Sequence, residues 1–423
     1  MIFVATILAL SIAASVQTPE RLDAPDRVAH WRQDLEFLVK GMSAKGTTVD
    51  LHYGISTRGQ KDFDKLYPHF SADIESLEAD LPKLPDAEVV LRIMKIMAGA
   101  NVAHNTVWQP IGVGFFSRLP IEFTSYSDGL AVMAASSDYE RALGTHVLKL
   151  ADKTPDQVFA GLAPYFPHET DQWLRGQGVG MLRPEPVLSH LGLMNSDGQL
   201  VLTLQKPGGE PFTLAVRPSD SRTKRNQAYD ELHVPMTLAR SHPDERFYWH
   251  QYLADSQTLY IQYNECANDP KLKFSDFAHD VFADTDSHKV ARVVVDLRRN
   301  GGGDSRVIGP LKGGLEDRTN KVGRVFVLIG ANTFSSGIDN AIELQHSLHA
   351  TLVGEPTGGL PNSYGQVKYL TLPNSKLKVQ FTSAWFGKHG DSEPLKPDLL
   401  VQRKLEDVLA GRDAVLDAVL SAN

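Results

Sequence analysis

The chain has 423 residues, 42% of them hydrophobic, enough for two or three domains with sizeable cores. Its net charge of −8 and pI near 6.0, with no lysine- or arginine-rich block, give no sign of a nucleic-acid partner. The single cysteine, Cys266, rules out an internal disulfide, a lipid-attachment cysteine at a signal cleavage site and a cysteine-based metal site.

Residues 2–14 form an apolar run ending in the small residues Ala13-Ala14-Ser15. The run is long enough for a signal-peptide core and too short to span a bilayer comfortably. We expect a signal peptide over 1–15, cleaved to leave a secreted or periplasmic protein that is not integral to a membrane. No lysine or arginine precedes the run, and a buried N-terminal helix is the alternative. From 16 to 110 the pattern is helical. Val28, Trp31, Leu35 and Leu38 share one face, Leu77 and Leu81 continue it, and Asp86 is placed to cap a helix carrying Val90, Ile93, Met94 and Met97. Gly99 reads as the stop. His104 therefore falls in a loop or strand edge beside Thr106, Val107 and Trp108.

Residues 111–235 read as a β-rich module. Leu119–Phe123, Leu130–Met133, Leu143–Leu150, Leu200–Leu204 and Phe212–Val216 have strand character, and Pro155–Leu162 has helical spacing. The polar stretch Pro218–Asp230 suits a linker or loop. A core over 236–423 follows. It opens with the aromatic strands Phe247–Trp249 and Thr258–Tyr263 and a helix over Phe274–Phe282. The late strands Val367–Leu372 and Leu377–Ser383 are expected to complete its sheet, and Glu406–Leu420 to close it as one amphipathic helix.

Within that core, Val293–Val295 runs into Asp296-Leu297-Arg298-Arg299-Asn300-Gly301-Gly302-Gly303. Val325–Gly330 runs into Ala331-Asn332-Thr333-Phe334-Ser335-Ser336-Gly337, a helical pattern spans Ile338–Leu348, and Thr351–Gly354 opens into Glu355-Pro356-Thr357-Gly358-Gly359. Strand, helix, strand in this order marks a parallel, buried sheet. Ser335 then sits at the carboxyl end of a strand and the start of a helix, where α/β sheets place their sites and where first-turn N–H groups lack internal partners. A hydroxyl beside a free N–H donor is half of an acyl-transfer site, and glycines at 301–303 would let backbone approach a substrate oxygen. The alternative is structural: Ser335 or Ser336 as a helix cap, and the glycines as a tight turn.

The three motifs together, in this order and spacing, resemble the tail-specific (C-terminal processing) serine peptidase family. The resemblance implies an α/β fold with a crotonase-like (ClpP/crotonase-type) catalytic core, preceded by an N-terminal helical region and a PDZ-like β-rich module. It implies Ser335 as nucleophile and the N–H groups of Gly301 and Ser336 as the oxyanion hole. The best-known branch takes its base from a lysine after the Gly-Glu-Pro-Thr segment, and here that position is Leu360. The tricorn-core-like branch instead uses an upstream histidine and a late glutamate. On that pattern His104, in Gly99–Thr106, is the base and Glu393, with Asp391 as the alternative, orients it. Asn105 intervenes where the family has threonine directly after the histidine. Taken alone, His104 is one of fifteen histidines and reads as a packed side chain.

No His-Glu-x-x-His, P-loop or complete Gly-x-Gly-x-x-Gly motif occurs, so no metal or cofactor is expected. Ser335 also has only half of the α/β-hydrolase elbow. The expected function is a serine-type peptidase acting on a peptide or protein substrate. A non-catalytic protein of the same fold, binding an apolar or peptide ligand, is the alternative, and esterase activity is a third possibility.

Overall fold

The computed structural model describes residues 26–42, 59–108, 116–219, 231–233, 246–387 and 392–422. The expected signal segment, nearly all of the polar stretch Pro218–Asp230 and Asp391 lie outside these residues. The architecture is mixed α/β, as expected.

Continuous β-branched runs fold into a sheet covered on both faces, because only such a sheet buries every residue of a strand. Val293, Val294, Val295, Val327, Leu328 and Ile329 are all solvent-free. The strand order is Leu399–Leu400, Thr351–Gly354, Val322–Ile329, Val290–Asp296, Thr258–Tyr263, Tyr248–Leu253. All pairs are parallel except the last, with Val293 opposite Val325 and Val327 opposite Leu352. The helices Phe274–Ser287, Gly309–Glu316 and Ser336–Leu348 pack on one face. On the other, Val415, Leu416 and Val419 meet Val294, Phe326 and Leu328.

The closing helix is two helices, Leu405–Leu409 and Ala414–Leu420. Gly411 takes a left-handed conformation (φ 69°) between them, and Asp413 caps the second by accepting the Leu416 N–H. Asp413 also receives two 2.7 Å bonds from Arg298, whose guanidinium holds Asp296 at 2.6 Å as well. Tyr260 adds its hydroxyl to Asp296 at 2.6 Å. This buried charge cluster fastens the chain's last helix under the turn that follows the strand Val290–Asp296.

The late strands do not join the core sheet. They form a hairpin, Ser363–Thr371 with Lys378–Phe386, whose second strand pairs antiparallel with Thr106–Val107 through Thr106 opposite Gln380 and Val107 opposite Val379. The periodicity identified the strands. Their partner, some 270 residues earlier, left no local mark.

The β-rich module is an antiparallel sheet in the order Ile121–Tyr126, Gly129–Ser136, Thr145–Leu150, Leu200–Gln205, Phe212–Val216, with Pro155–Leu162 helical behind a Thr154/Gln157 capping box. It also contains the short helices Asp171–Gln177 and Glu185–His190, which the sequence reading missed. Upstream lie the helices Arg27–Met42, Gly59–Leu66, Phe70–Asp80 and Asp86–Ala98. Asp86 is not their cap: it begins the fourth helix after Pro85, and its carboxylate accepts from Arg27 and from the Trp31 indole at 2.8 Å. Gly99 ends that helix in right-handed conformation, and Asn101 (φ 49°) makes the left-handed turn toward His104. One apolar cluster runs from these helices through the β-rich sheet to Leu372, Leu377, Val379 and Phe334. Among the described residues no helix is long and apolar enough to cross a membrane.

Burial pushes the Asp413 carboxyl up, but the Arg298 guanidinium outweighs it and holds the group at about 2. Asp413→Ala should cost about 3 kcal/mol in urea unfolding at pH 7, the low end for a broken buried pair, because Asp296 stays on Arg298. With a depressed folded pKa, this stabilisation is present above the ordinary value of 3.8 and lost as pH falls through about 2. The gap between wild type and variant should therefore narrow in acid.

Candidate active site

Parallel pairing sets the turn after Asp296 beside the loop after Ile329. Asn300, fully buried, ties them: its carbonyl accepts the Phe334 N–H at 2.9 Å and its Oδ1 accepts the Gly302 N–H at 2.9 Å. Its amide donates to the Tyr263 carbonyl at 3.0 Å, and Cys266 donates its thiol to Oδ1 at 3.3 Å. Burial pushes that thiol up to about 12, so Cys266 is a protonated packing group. Thr333 pins the loop from within, donating to Leu297 O at 2.9 Å and accepting the Gly330 N–H at 3.0 Å.

Ser335 sits on this scaffold at φ 51°, ψ −127°, a region that residues with a side chain rarely enter. Such a conformation costs about 1–3 kcal/mol and persists only where surrounding bonds over-determine it. Its hydroxyl makes no capping bond to the helix Ser336–Leu348. The capping alternative applies instead to its neighbour in modified form, since the Ser336 hydroxyl donates to the Gly303 carbonyl at 2.7 Å. Gly302 explains itself here. At φ 105°, a Cβ on it would stand 2.7 Å from Ser335 Cβ and 3.0 Å from Ser336 N. The Gly302 N–H is spent on Asn300, and among the described residues no protein acceptor engages the N–H groups of Gly301, Gly303, Ser335 or Ser336.

His104 arrives from the other half of the chain. Gln380 donates to its carbonyl at 2.6 Å, while Asn105 donates to the Tyr67 hydroxyl at 2.7 Å and accepts the Thr382 N–H at 2.9 Å. The inserted Asn105 thus locks the loop to the hairpin. The buried imidazole packs on Phe334, the residue before Ser335, with ring centroids 4.4 Å apart. Trp173 stacks on the other side of Phe334 at 4.0 Å. The ring bonds to the Tyr364 backbone, and Nδ1 is buried without a partner, so the bond is made by the other nitrogen. A ring donating to a carbonyl through Nε2 leaves the Nδ1 lone pair free. No hydrogen bond joins His104 to Ser335.

Glu393 is not brought to His104. Its carboxylate is 72% exposed and faces Lys396 at 4.0 Å. It does border an open cleft of about 320 Å³ with Glu169, Thr170, Leu360 and Pro394. Glu169 escaped the sequence reading because it lies in an unremarked turn outside all three motifs, and no local pattern could have singled it out. Among the described residues no three His, Cys, Asp or Glu side chains are grouped to hold a metal. The arrangement supplies a hydroxyl on a strained backbone, unengaged N–H donors in the same loops and a neutral imidazole packed on the residue before that hydroxyl, the parts from which acyl transfer is built.

No family model and no curated protein sequence matches the chain. Solved structures do. Mature CPAF superposes with a TM-score of 0.59 at 15% identity, over 93% of this chain and 96% of that one. Mature CPAF complexed with lactacystin gives 0.58 at 13%, over 93% and 97%. The photosystem II D1 C-terminal processing protease gives 0.36 at 16%, over 87% and 99%, too slight a likeness to argue from. At these identities the CPAF likeness is one of fold, and it spans nearly the whole of both chains.

Burial pushes the His104 imidazole down to about 4, against the bond to the Tyr364 backbone, which favours the charged form. Its ring resonances should therefore titrate near 4 by NMR, not at the ordinary 6.5. Stability from this group is present above 6.5 and lost as pH falls toward 4, because the unfolded chain binds a proton that the native ring excludes. A titration at 6.5 would mean a solvated ring and an open site.

Proposed function

We propose that this protein is a serine-type peptidase of the tail-specific kind, with its core crotonase-like and residues 111–235 serving as a PDZ-like module. The observation that carries the reading is the strained, uncapped Ser335, whose neighbour Phe334 packs on a buried neutral imidazole and near which the N–H groups of Gly301 and Ser336 are unengaged. In this reading Ser335 Oγ attacks the scissile carbonyl while His104 takes its proton on the free lone pair. The carbonyl oxygen, now an oxyanion, is held by the N–H groups of Gly301 and Ser336, a contribution of about 3 kcal/mol for one such donor. His104 then returns the proton to the leaving amine, and water repeats the sequence on the acyl-enzyme.

The Tyr364 backbone bond supports the orientation of the imidazole in this reading, where the sequence had suggested Glu393. Glu393 and Lys396 border the cleft, where they would meet substrate. The apolar run at 2–14 supports export, to a secreted or periplasmic location. One observation favours the alternative of a non-catalytic binding protein: no hydrogen bond joins Ser335 to His104.

A diverse peptide library, incubated with wild type and Ser335→Ala and read by mass spectrometry, separates the two. Products should appear with wild type and vanish with Ser335→Ala. His104→Ala should lower the rate by at least about a hundredfold, the scale of general-base catalysis. Because CPAF has been solved with lactacystin, that compound is a useful second probe by fold analogy alone. Cleavage that persists in Ser335→Ala would discard the nucleophile. No cleavage by wild type would leave ligand binding as the leading reading.

A further inference from the structure

The turn before the helix Asp171–Gln177 reaches two segments around the Ser335 loop, the one leading to His104 and the one over residues 358–360. Glu169 accepts the Ala103 N–H on one carboxylate oxygen at 3.3 Å and the Leu360 N–H on the other at 3.4 Å. Thr170 donates to the Gly358 carbonyl and caps the helix by accepting the Trp173 N–H at 3.0 Å. Trp173 stacks on Phe334, and Phe334 on His104. Gly358 in turn donates to the Thr333 carbonyl at 3.2 Å. The carboxylate therefore joins the backbone just before His104 to the segment that runs over the Ser335 loop. Leu360, one of its two partners, stands where the resembled family's other branch carries its lysine.

No cation among the described residues bonds Glu169. Across the cleft, Glu393 faces Lys396, and in the 355–360 segment Glu355 is paired with Arg403 at 3.0 Å. On its own segment, His168 is bonded to the Phe166 carbonyl at 2.7 Å, and Asp171 is paired with Arg175 at 2.7 Å. On the Ala103 side stands His104, which burial keeps neutral. Two backbone donors are thus what the carboxylate has in place of a counter-charge.

We propose that Glu169 is a positioning residue whose ionised carboxylate, by holding Ala103 and Leu360 on separate oxygens, keeps His104 in register with Ser335, and that protonation releases this hold. The proposal rests on the serine peptidase reading for its catalytic consequence, but not for its structural one. A protonated carboxyl has one oxygen turned donor, and that oxygen no longer accepts well, so one of the two N–H bonds is lost. Burial, opposed by the two N–H bonds, pushes this carboxyl up to about 7. The register is therefore complete above about 7 and relaxed below it. Stability runs the other way, present below the ordinary 4.5 and lost as pH rises through about 7, so the group gives up stability to hold the site.

The test is an NMR titration of the full chain from pH 5 to 9, following the amide signals of Ala103 and Leu360 and the His104 ring. All three should shift together with a midpoint near 7 in wild type, the ring by a small change of environment and not by its own protonation, which stays near 4. Glu169→Gln, which keeps the size but cannot ionise, should abolish that midpoint. In parallel, kcat/KM of wild type should rise through pH 7. In Glu169→Gln it should be pH-independent there and about tenfold to a hundredfold lower, the scale of a small misplacement of a catalytic group. An inactive wild type whose three signals still titrate together would sink the peptidase reading and leave the positioning role standing. Signals that do not move in wild type, or a midpoint that survives in Glu169→Gln, would overturn the proposal whatever the activity. The wild-type titration decides the matter even if the variant fails to fold.

Discussion

Asn300 is the constraint on which the rest of the site depends. It is buried, so each of its polar groups must find a partner, and the partners it finds belong to three segments: Tyr263, the glycine turn and the loop carrying Ser335. Those bonds force Gly302 against the Ser335–Ser336 turn, closer than any side chain would allow. They also hold Ser335 in a backbone conformation that it would otherwise leave. The strain at 335 and the missing side chain at 302 are two consequences of one hydrogen-bonded centre.

Histidine and serine come from different halves of the chain, and the apolar core joins them. Phe334 belongs to the cluster formed by the N-terminal helices, the β-rich sheet and the hairpin, although its neighbours in sequence belong to the parallel sheet. Its ring lies between Trp173 and His104. Packing of that one ring brings the loop carrying His104 against the turn that carries Ser335, while the pairing of Thr106–Val107 with the hairpin anchors the loop.

Buried charge is handled in opposite ways at two places in the molecule. In one, Arg298 is matched by Asp296 and Asp413, and the guanidinium holds Asp413 in its charged form. In the other, near the Ser335 loop, Glu169 and His104 are buried with no opposite charge bonded to either among the described residues, and both are pushed toward their neutral forms. The first arrangement is what holds a closing helix in place. The second leaves groups able to exchange protons, as functional sites require.

The sequence by itself determined the parallel sheet, since uninterrupted runs such as Val293–Val295 and Val325–Ile329 have no other stable burial. It also determined where Ser335 stands, because strand, turn and helix are written contiguously around it. Asn300 was in plain view within its motif, yet its role as a hub was not, since its partners lie outside that motif. Only the tertiary structure decided that the late strands form a hairpin beneath His104, that the last helix breaks at Gly411, that Glu393 faces solvent and that Glu169 bridges two loops. Local patterns record which face of an element is apolar, whereas these outcomes depend on contacts between segments tens to hundreds of residues apart, which leave no periodic trace in either segment.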